Sequence, residues 1–318
     1  MISVVVPLFN KGETVGATLA SVQSQSETAW ELVVVDDGSR DDGPAVVTAL
    51  AESDDRIRLV RQPNAGVSAA RNTGAKEARG DVVAFLDADD TWSPEHLANL
   101  LALRRRFPQA VAWAAAYKVV DDLGRERAVR MRPADGDDAY LITDYFDDAV
   151  SFELPVHSSA VMVDRAVLWR IGGFPVGVKS GEDILTWSRL SCEGAIAFSR
   201  RVTAMYFAPS VRAEARRTVV RRPAAVDMVR QGLQTLRAAH PARARSVDRF
   251  LGLWLRIRAT SFLELREPRA SLIELVRAVT VSGLRGRDIA SVLMLCLPAF
   301  LRERLLAWVR SRGEARAG

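Results

Sequence analysis

A cluster of acidic residues directly follows an apolar run in the first third of the chain. Three carboxylates fall within Asp87-Ala88-Asp89-Asp90, and the preceding residues Val82–Leu86 have the composition of a buried strand. Carboxylates this close repel one another unless a cation or solvent offsets their charge. A divalent cation such as Mg²⁺ or Mn²⁺ meets that need and can take further ligands from water and a substrate diphosphate. The alternative is a solvated turn in which Asp90 or Ser93 caps the helix near Pro94.

Two further polar segments have the residue types of a nucleotide site. Asp36-Asp37-Gly38-Ser39 follows an apolar run, and its carboxylates can accept from a base N–H or a ribose hydroxyl. An ordinary Asx-type turn would use the same residues. Asn64-Ala65-Gly66 is a turn signal that opens a helix of small residues, from which Arg71 can reach a phosphate or a sugar carboxylate. An exposed arginine on an amphipathic helix is the alternative there.

A fourth candidate segment is Gly181-Glu182-Asp183, at the start of a predicted helix. An acceptor hydroxyl needs a general base, and a carboxylate at this place can supply one. Trp187 follows on the same helical face, where it can line a sugar pocket or shield the base. Acidic residues in a first helical turn also suit the helix dipole without any catalytic role. His157 is either a structural histidine or an acceptor contact.

Strand and helix patterns alternate over the first 120 residues, and these elements must position the polar segments. The predicted strands are Ile2–Pro7, Glu31–Val35, Ile57–Val60, Asp81–Leu86 and Val111–Val120, and helices are predicted from Gly12 and over Gly43–Glu52, Gly66–Ala78 and Pro94–Phe107. This alternation predicts an α/β fold with a mostly parallel sheet covered on both faces. Ligands of such sheets bind beyond the carboxyl ends of the strands, so the polar segments are expected to line one crevice.

The pattern is less regular in the second half of the chain. Residues 121–150 are acidic and are predicted to form either a surface loop or a flap on the acceptor side. Ser158–Val163 is predicted as a strand, Arg165–Ile171 and Glu182–Cys192 as helices, and strand signals fade after about residue 210. The last third of the chain is rich in arginine and is predicted to be helical.

Composition and charge restrict the class of protein. The chain has 318 residues, of which 48% are hydrophobic and 26% charged, as in ordered globular proteins. Two distant cysteines, Cys192 and Cys296, favour a reducing compartment, and no signal peptide is predicted at the N-terminus. Residues 1–199 contain 20 Lys and Arg against 30 Asp and Glu, whereas residues 200–318 contain 24 Arg against nine acids. The basic third therefore predicts an anionic partner.

An anionic membrane surface is one such partner. The apolar run Ile289–Leu301 is flanked by arginines but is too short to span a bilayer, so it is predicted to lie in the headgroup plane, with Trp308 at the interface. A helical subdomain packed on the catalytic domain is the alternative. Nucleic acid is disfavoured because no recognised binding motif accompanies the arginines.

Taken in order, these segments resemble the family 2 glycosyltransferases, inverting enzymes of the GT-A fold. The matching segments lie within residues 1–208 and are VVVPLFNKGETVGATLASVQSQ, ELVVVDDGSRDD, RQPNAGVSAARNTGAKEARGDVVAFLDADD and SSAVMVDRAVLWRIGGF followed by GEDILTWSRL. The resemblance implies a catalytic domain over residues 1–210, followed by a helical region over residues 211–318. It also implies a nucleotide diphosphate sugar as donor and a saccharide or lipid-linked saccharide as acceptor.

The resemblance implies roles on the donor side position by position. Pro7, on the turn after the first strand, is expected near the nucleotide base, which Asp36 and Asp37 should hydrogen-bond. Asp87 should face the ribose, and Asp89 should bind the Mn²⁺ or Mg²⁺ that bridges the donor phosphates.

On the acceptor side, the resemblance makes Asp183 the catalytic base of an inverting displacement. Glu182, Trp187 and His157 are the other acceptor-side candidates. Arg71 occupies the family's Ala-Arg-Asn position and is expected to contact the nucleotide sugar.

Other classes of protein share parts of this pattern. A nucleotidyltransferase would need a Gly-rich phosphate loop after the first strand, which residues 7–12 lack. A module that only binds nucleotide sugar or acts as a scaffold would not need the base Asp183. A dinucleotide oxidoreductase is disfavoured because no GxGxxG follows a strand. The expected setting is bacterial cell-surface polysaccharide or glycolipid synthesis, in the cytoplasm or peripherally on the inner face of the cell membrane.

Overall fold

The computed structural model describes residues 1–121, 123–133, 136–208, 222–286, 288–289 and 292. The chain divides into two compact units, the first made of residues 1–120 and 128–207 and the second of residues 121–127 and those from 208 onward. The predicted division between residues 210 and 211 falls outside the described residues. The same holds for nearly all of Ile289–Leu301 and for Trp308.

Strands and helices alternate over residues 1–207, which comprise the first unit and residues 121–127. The strands are β1 (Ile2–Leu8), β2 (Trp30–Asp36), β3 (Ile57–Arg61), β4 (Val82–Phe85), β5 (Thr91–Trp92), β6 (Ala112–Val120), β7 (Glu126–Ala128), β8 (Ala139–Ile142), β9 (Val161–Asp164) and β10 (Ile196–Phe207). The helices are α1 (Gly12–Gln23), α2 (Gly43–Ser53), α3 (Val67–Glu77), α4 (His96–Arg106), α5 (Tyr145–Ser151), α6 (Arg165–Arg170) and α7 (Glu182–Glu193).

The central sheet is mostly parallel, as the sequence predicts. Its strands lie in the order β3-β2-β1-β4-β9-β6-β10-β5, and β8 pairs with β10. β1 pairs in parallel with β2 on one side and with β4 on the other. β9 runs antiparallel to both of its neighbours, β4 and β6, so the sheet is mixed at its centre. Because β2 and β4 flank β1, the segments that leave their carboxyl ends emerge at the same edge of the sheet.

The sheet is buried on both faces because helices cover them, which is why its central strands are almost continuously apolar. Val4, Val6 and Leu8 of β1 lie in one core cluster with Val15 and Leu19 of α1. Helix α3 approaches the sheet so closely that a Cβ built on Gly74 would lie 2.3 Å from Cγ1 of Val5. The absence of a side chain at Gly74 therefore allows α3, which contains Arg71, to pack directly against the centre of the sheet.

The predicted position of Pro7 was wrong. Pro7 lies inside β1, in register with Val35 of β2, and not on the turn that follows the strand. At this level β1 has one hydrogen-bonded neighbour only, because its pairing with β4 ends at Val5. Proline lacks the N–H that a second neighbour would require, so such a position tolerates it.

Two predictions for the middle of the chain also need correction. Residues 121–150 are not one irregular loop, because they include β7, β8 and all but the last residue of α5. The predicted strand Ser158–Val163 begins as a 3₁₀ turn over Ser158–Ala160, and only then continues as β9.

The described part of the C-terminal region, from residue 222 onward, is helical, as predicted. It contains α8 (Met228–Ala239), α9 (Ala244–Glu264) and α10 (Pro268–Ser282). Buried charges join these helices: Nε of Arg258 lies 3.1 Å from Asp227, and its Nη2 donates to Glu274 at 3.2 Å. Within the described ranges, no helix combines the length and the apolar character that crossing a membrane requires.

Candidate functional site

Asp36 and Asp37, at the end of β2, are both engaged by backbone groups of the protein. Oδ1 of Asp36 accepts from the N–H of Ser39 at 2.8 Å and closes the turn. Asp37 accepts from the N–H groups of Ala65 at 2.9 Å and Gly66 at 2.8 Å, so it holds the segment that opens α3 against β2. A carboxylate has about four lone-pair positions. Asp37 also accepts from Nε2 of Gln62 at 2.7 Å and is 3% exposed, so about one of these positions remains for a ligand. Its predicted contact with a base stays a prediction.

Arg71 connects the acidic segment after β4 with the start of α7. Its side chain is 3% exposed; Nη2 donates to Oδ1 of Asp87 at 2.7 Å, and Nη1 lies 3.5 Å from Oε1 of Glu182. The guanidinium also lies over the ring of Phe174, 5.2 Å from its centroid. The sequence alternative of an exposed surface arginine is therefore wrong. A buried cation here holds two carboxylates from distant parts of the chain next to each other.

The charges of Arg71, Asp87 and Glu182 shift one another's pKa values. Burial acts to raise the pKa of Asp87, but Arg71 outweighs burial and lowers that pKa below its ordinary value. Burial and the neighbouring Asp183 raise the pKa of Glu182, against the opposing effect of Arg71. Arg71 therefore stabilises the ionised form of Asp87 more than the ionised form of Glu182.

Asp89 faces a lysine that leads into the first helix. Nζ of Lys11 lies 2.5 Å from Oδ2 of Asp89, and the two side chains are 44% and 31% exposed. Lys11 follows β1 and directly precedes α1. A cation thus already accompanies Asp89 at the protein surface, where solvent and a ligand can reach it.

Asp90, the third carboxyl of the cluster, is fully buried and has a structural position. Its Oδ1 accepts from the N–H of Phe207 at 3.0 Å, and its Oδ2 accepts from the hydroxyl of Ser159. The oxygen of that hydroxyl in turn accepts from the N–H of Asp87. Burial and the charge of Asp87 raise the pKa of Asp90 to about 8. A neutral Asp90 therefore anchors the acidic turn to β10 and to the segment before β9.

Glu182 and Asp183 form the first turn of α7. Gly181 precedes them in the left-handed conformation with φ of 79°, which favours glycine. Oδ1 of Asp183 accepts from the N–H of Ile184 at 2.7 Å, and among the described residues it has no other hydrogen-bond donor. Asp183 is partly exposed, whereas Glu182 is occupied by Arg71. Of the two, Asp183 is the carboxylate that is available to a ligand.

The other acceptor-side candidates lie in different surroundings. Trp187 is 1% exposed and packs edge-on against Phe174, so it belongs to the core and does not line a pocket. His157 lies between the rings of Tyr117 and Tyr206, and it interacts electrostatically with Asp87, Asp89 and Asp183. His157 is therefore close to the acidic group. Trp187 contacts Phe174, and the ring of Phe174 lies against the guanidinium of Arg71.

Sequence reasoning missed Lys11, Ser159 and Tyr206. Lys11 stands at the carboxyl end of a predicted strand, a position that could have indicated a role. Ser159 and Tyr206 gave no local signal, because their partners are distant in sequence and β10 was not predicted.

A divalent cation fits the acidic group only together with a substrate. Within the described ranges, no three His, Cys, Asp or Glu side chains converge so that they could hold a metal ion. Mg²⁺ and Mn²⁺ at a diphosphate commonly take one or two protein carboxylates and complete their shell with phosphate oxygens and water. The partly exposed carboxylate of Asp89 matches that need.

Comparison with known proteins identifies the class. The family described as Glycosyl transferase family 2 matches residues 3–171, more than half of the chain. The chain therefore belongs to glycosyl transferase family 2, and the resemblance seen in the sequence is confirmed.

Individual relatives match parts of the chain. Succinoglycan biosynthesis protein ExoW of Rhizobium meliloti is 30% identical over 230 residues, 67% of this chain and 69% of ExoW. UDP-Glc:alpha-D-GlcNAc-diphosphoundecaprenol beta-1,3-glucosyltransferase WfgD of Escherichia coli is 40% identical over 105 residues, 33% of this chain and 39% of WfgD. Two further relatives match over 30% and 31% of their own length, so the chain spans less than a third of those proteins.

A solved structure shares the fold. The crystal structure of S. aureus TarS 1–349 in complex with UDP-GlcNAc aligns with a TM-score of 0.65 at 19% sequence identity, over 92% of this chain and 84% of that one. This likeness supports the GT-A architecture.

Proposed function

We propose that this protein is an inverting, metal-dependent glycosyltransferase that moves a sugar from a nucleotide diphosphate donor to an acceptor hydroxyl. The observation that carries the proposal is the buried Arg71, which joins Asp87 of the acidic turn to Glu182, the neighbour of Asp183. This contact supports the proposal because it brings the segment proposed to bind the donor next to the turn that holds the proposed base, Asp183. Family membership supports the same reaction class.

The donor is proposed to lie along the carboxyl ends of β1, β2 and β4. Asp37 and Asp36 would contact the base, with Pro7 beside it, and Asp87 would contact the ribose. Asp89 would hold Mn²⁺ or Mg²⁺, which when bound offsets the negative charge that develops on the leaving diphosphate. Lys11, already paired with Asp89, adds a second positive charge that a phosphate oxygen can approach.

Asp183 is proposed to act as the base. It accepts the proton of the acceptor hydroxyl while that oxygen forms a bond to the anomeric carbon, and the bond from this carbon to the diphosphate oxygen breaks. The nucleoside diphosphate leaves with the bonding electron pair, and the configuration at the anomeric carbon inverts. Asp183 suits this role because, among the described residues, no cationic side chain forms a hydrogen bond or ion pair with it. Glu182 instead keeps Arg71 in place.

We further propose that the product is part of a bacterial cell-surface polysaccharide or glycolipid, made in the cytoplasm or at the inner face of the membrane. ExoW is by name a succinoglycan biosynthesis protein, and the name of WfgD specifies a diphosphoundecaprenol-linked acceptor. A saccharide or lipid-linked saccharide acceptor follows from that analogy. The arginine-rich region suits an anionic membrane surface.

A screen of nucleotide sugars tests the proposed reaction. The purified chain is incubated with UDP-, GDP- and dTDP-linked sugars, and release of nucleoside diphosphate is measured with Mn²⁺ and with EDTA. At least one donor should be hydrolysed slowly with Mn²⁺, and EDTA should abolish the reaction. A chain that neither hydrolyses nor binds any of these donors would contradict the proposal.

A further inference from the structure

The imidazole of His157 is held in one tautomer. His157 precedes the 3₁₀ turn Ser158–Ala160, and its Nδ1 accepts from the N–H of Ser159 at 3.1 Å. A ring nitrogen that accepts a hydrogen bond carries no proton, so the proton of the neutral ring is on Nε2. Burial lowers the pKa of His157 against the opposing effect of Asp87 and Asp183, which keeps the ring neutral near pH 7. His157 therefore presents an N–H donor at Nε2.

Two tyrosines fix the plane of this ring. The centroid of the Tyr117 ring in β6 lies 4.8 Å away at an interplanar angle of 36°, and that of Tyr206 in β10 lies 4.6 Å away at 42°. Each ring comes from a different strand of the central sheet, so the imidazole has little freedom to turn. A donor held in this way is pre-organised for a ligand.

The donor at Nε2 has no hydrogen-bond partner among the residues that the structure describes. His157 is only partly buried. Nε2 of His96, by contrast, is fully buried without a partner, so no ligand can reach it. The free donor instead lies in the field of Asp87, Asp89 and Asp183.

We propose that His157, together with Tyr117 and Tyr206, forms the subsite for the transferred sugar, with Nε2–H of His157 donating to an oxygen of that sugar. This inference rests on the proposed glycosyltransferase function, and it replaces the acceptor-side assignment of His157. The three carboxylates around the imidazole are those expected on either side of the transferred ring: Asp87 and Asp89 at the nucleotide diphosphate and Asp183 at the anomeric carbon. Aromatic faces beside one well-placed polar group are typical of small-molecule sites.

Three variants of His157 test its two hydrogen bonds separately: the bond that Nδ1 accepts from Ser159, and the bond that Nε2 is proposed to donate to the sugar. In His157→Asn the amide oxygen can still accept from Ser159, but the distal donor is lost. His157→Gln reaches the position of Nε2 with an N–H₂ group and restores the donor. His157→Phe keeps an aromatic ring and loses both bonds. His240→Asn, in the C-terminal unit, makes the same chemical change and is the matched control.

The measurement compares nucleotides with and without the sugar. Dissociation constants are measured by calorimetry with Mn²⁺ for UDP, UDP-glucose and UDP-GlcNAc, and for GDP and GDP-mannose. For the sugar nucleotide that binds the wild type most tightly, His157→Asn should weaken binding about five- to tenfold, the effect of one neutral hydrogen bond, and leave the nucleoside diphosphate unaffected. His157→Gln should recover part of the loss.

Two results would overturn the inference. One is equal binding of the sugar nucleotide by wild type and His157→Asn. The other is an equal loss for the sugar nucleotide and the nucleoside diphosphate, which would show a structural role. Both outcomes leave the proposed function intact, whereas a wild-type chain that binds none of the five probes would contradict the donor class itself.

Discussion

Arg71 and Asp87 form an ion pair in which the cation is buried and the carboxylate is partly exposed, at 3% and 29% of their side-chain surfaces. Removing one member of such a pair leaves the other without its partner in a medium of low polarity, which costs more than the pair itself contributes. The arrangement therefore makes Arg71 important both for folding and for the geometry of the acidic site.

Arg71→Met should destabilise the protein and abolish transfer. Without the guanidinium, Asp87 and Glu182 lose their shared cation, and the free energy of unfolding should fall by about 3 kcal/mol. Arg71→Lys keeps the charge but cannot reach both carboxylates, so it should fold better and still lose most activity. Urea unfolding and transfer assays measure the two effects. Arg61→Met, at an exposed position in β3, is the control, and an equal effect of both Met variants would contradict the role of the pair.

Asp183→Asn should stop transfer and leave donor binding almost unchanged. The amide has the shape of the carboxylate but cannot accept the proton, so turnover should fall by about 10²- to 10⁴-fold. Calorimetry with the nucleotide sugar and a transfer assay separate binding from turnover.

Glu182→Gln is the matched variant, one residue away. It should reduce activity less than Asp183→Asn, because Glu182 is occupied by Arg71. Wild-type transfer by Asp183→Asn, with loss of transfer in Glu182→Gln, would reverse the assignment of the base.

Local signals were sufficient to predict the strands around the site and helix α3. Val82–Leu86 is apolar and ends in carboxylates, and Asn64-Ala65-Gly66 marks the turn before the helix. The strands β8 and β10 were missed because their pairing depends on partners far along the chain. Burial was also hard to predict: Trp187 lies on the expected helix, but only packing against Phe174 shows that it faces the core.

The division of roles among the acids could not be predicted from the sequence. Asp87, Asp89 and Asp90 are nearly equivalent as sequence, yet they have Arg71, Lys11 and buried Ser159 as their respective partners. These partners come from other segments of the chain. Only the folded chain therefore distinguishes the acid paired with a buried arginine from the acid paired with an exposed lysine and from the buried neutral acid.

Lys11→Met should strengthen metal binding in the absence of donor. The ammonium of Lys11 competes with a divalent cation for Oδ2 of Asp89. Exposed ion pairs contribute about 0–1 kcal/mol, so the affinity for Mn²⁺ should rise by up to about fivefold. Titration of Mn²⁺ followed by electron paramagnetic resonance measures this affinity directly.

Two variants complete that experiment. Asp89→Ala should abolish the binding of Mn²⁺, and Lys76→Met, at an exposed position in α3, should leave it unchanged. If Lys11→Met weakens Mn²⁺ binding, then Lys11 does not compete with the metal and the expectation is wrong.

Asp90 should make the free energy of unfolding depend on pH. Its pKa is raised by burial and by Asp87 to about 8 in the folded chain, from an ordinary value of 3.8. Between these values the folded state holds a proton that the unfolded state has released. The stabilising contribution of Asp90 is therefore fully present below about pH 4 and is lost as the pH rises through about 8.

Asp90→Asn should remove this dependence, because the amide does not titrate. Its oxygen can accept from the N–H of Phe207, and its N–H₂ group can donate to Oγ of Ser159. Between pH 5 and 8, the unfolding free energy of the wild type should fall relative to that of the variant by up to about 1.4 kcal/mol per pH unit. Urea titrations in EDTA at several pH values measure the difference. Asp81→Asn is the control, because Arg104 lowers the pKa of this exposed acid and it does not titrate in that range. Parallel curves for wild type and Asp90→Asn would mean that Asp90 is ionised in the folded protein.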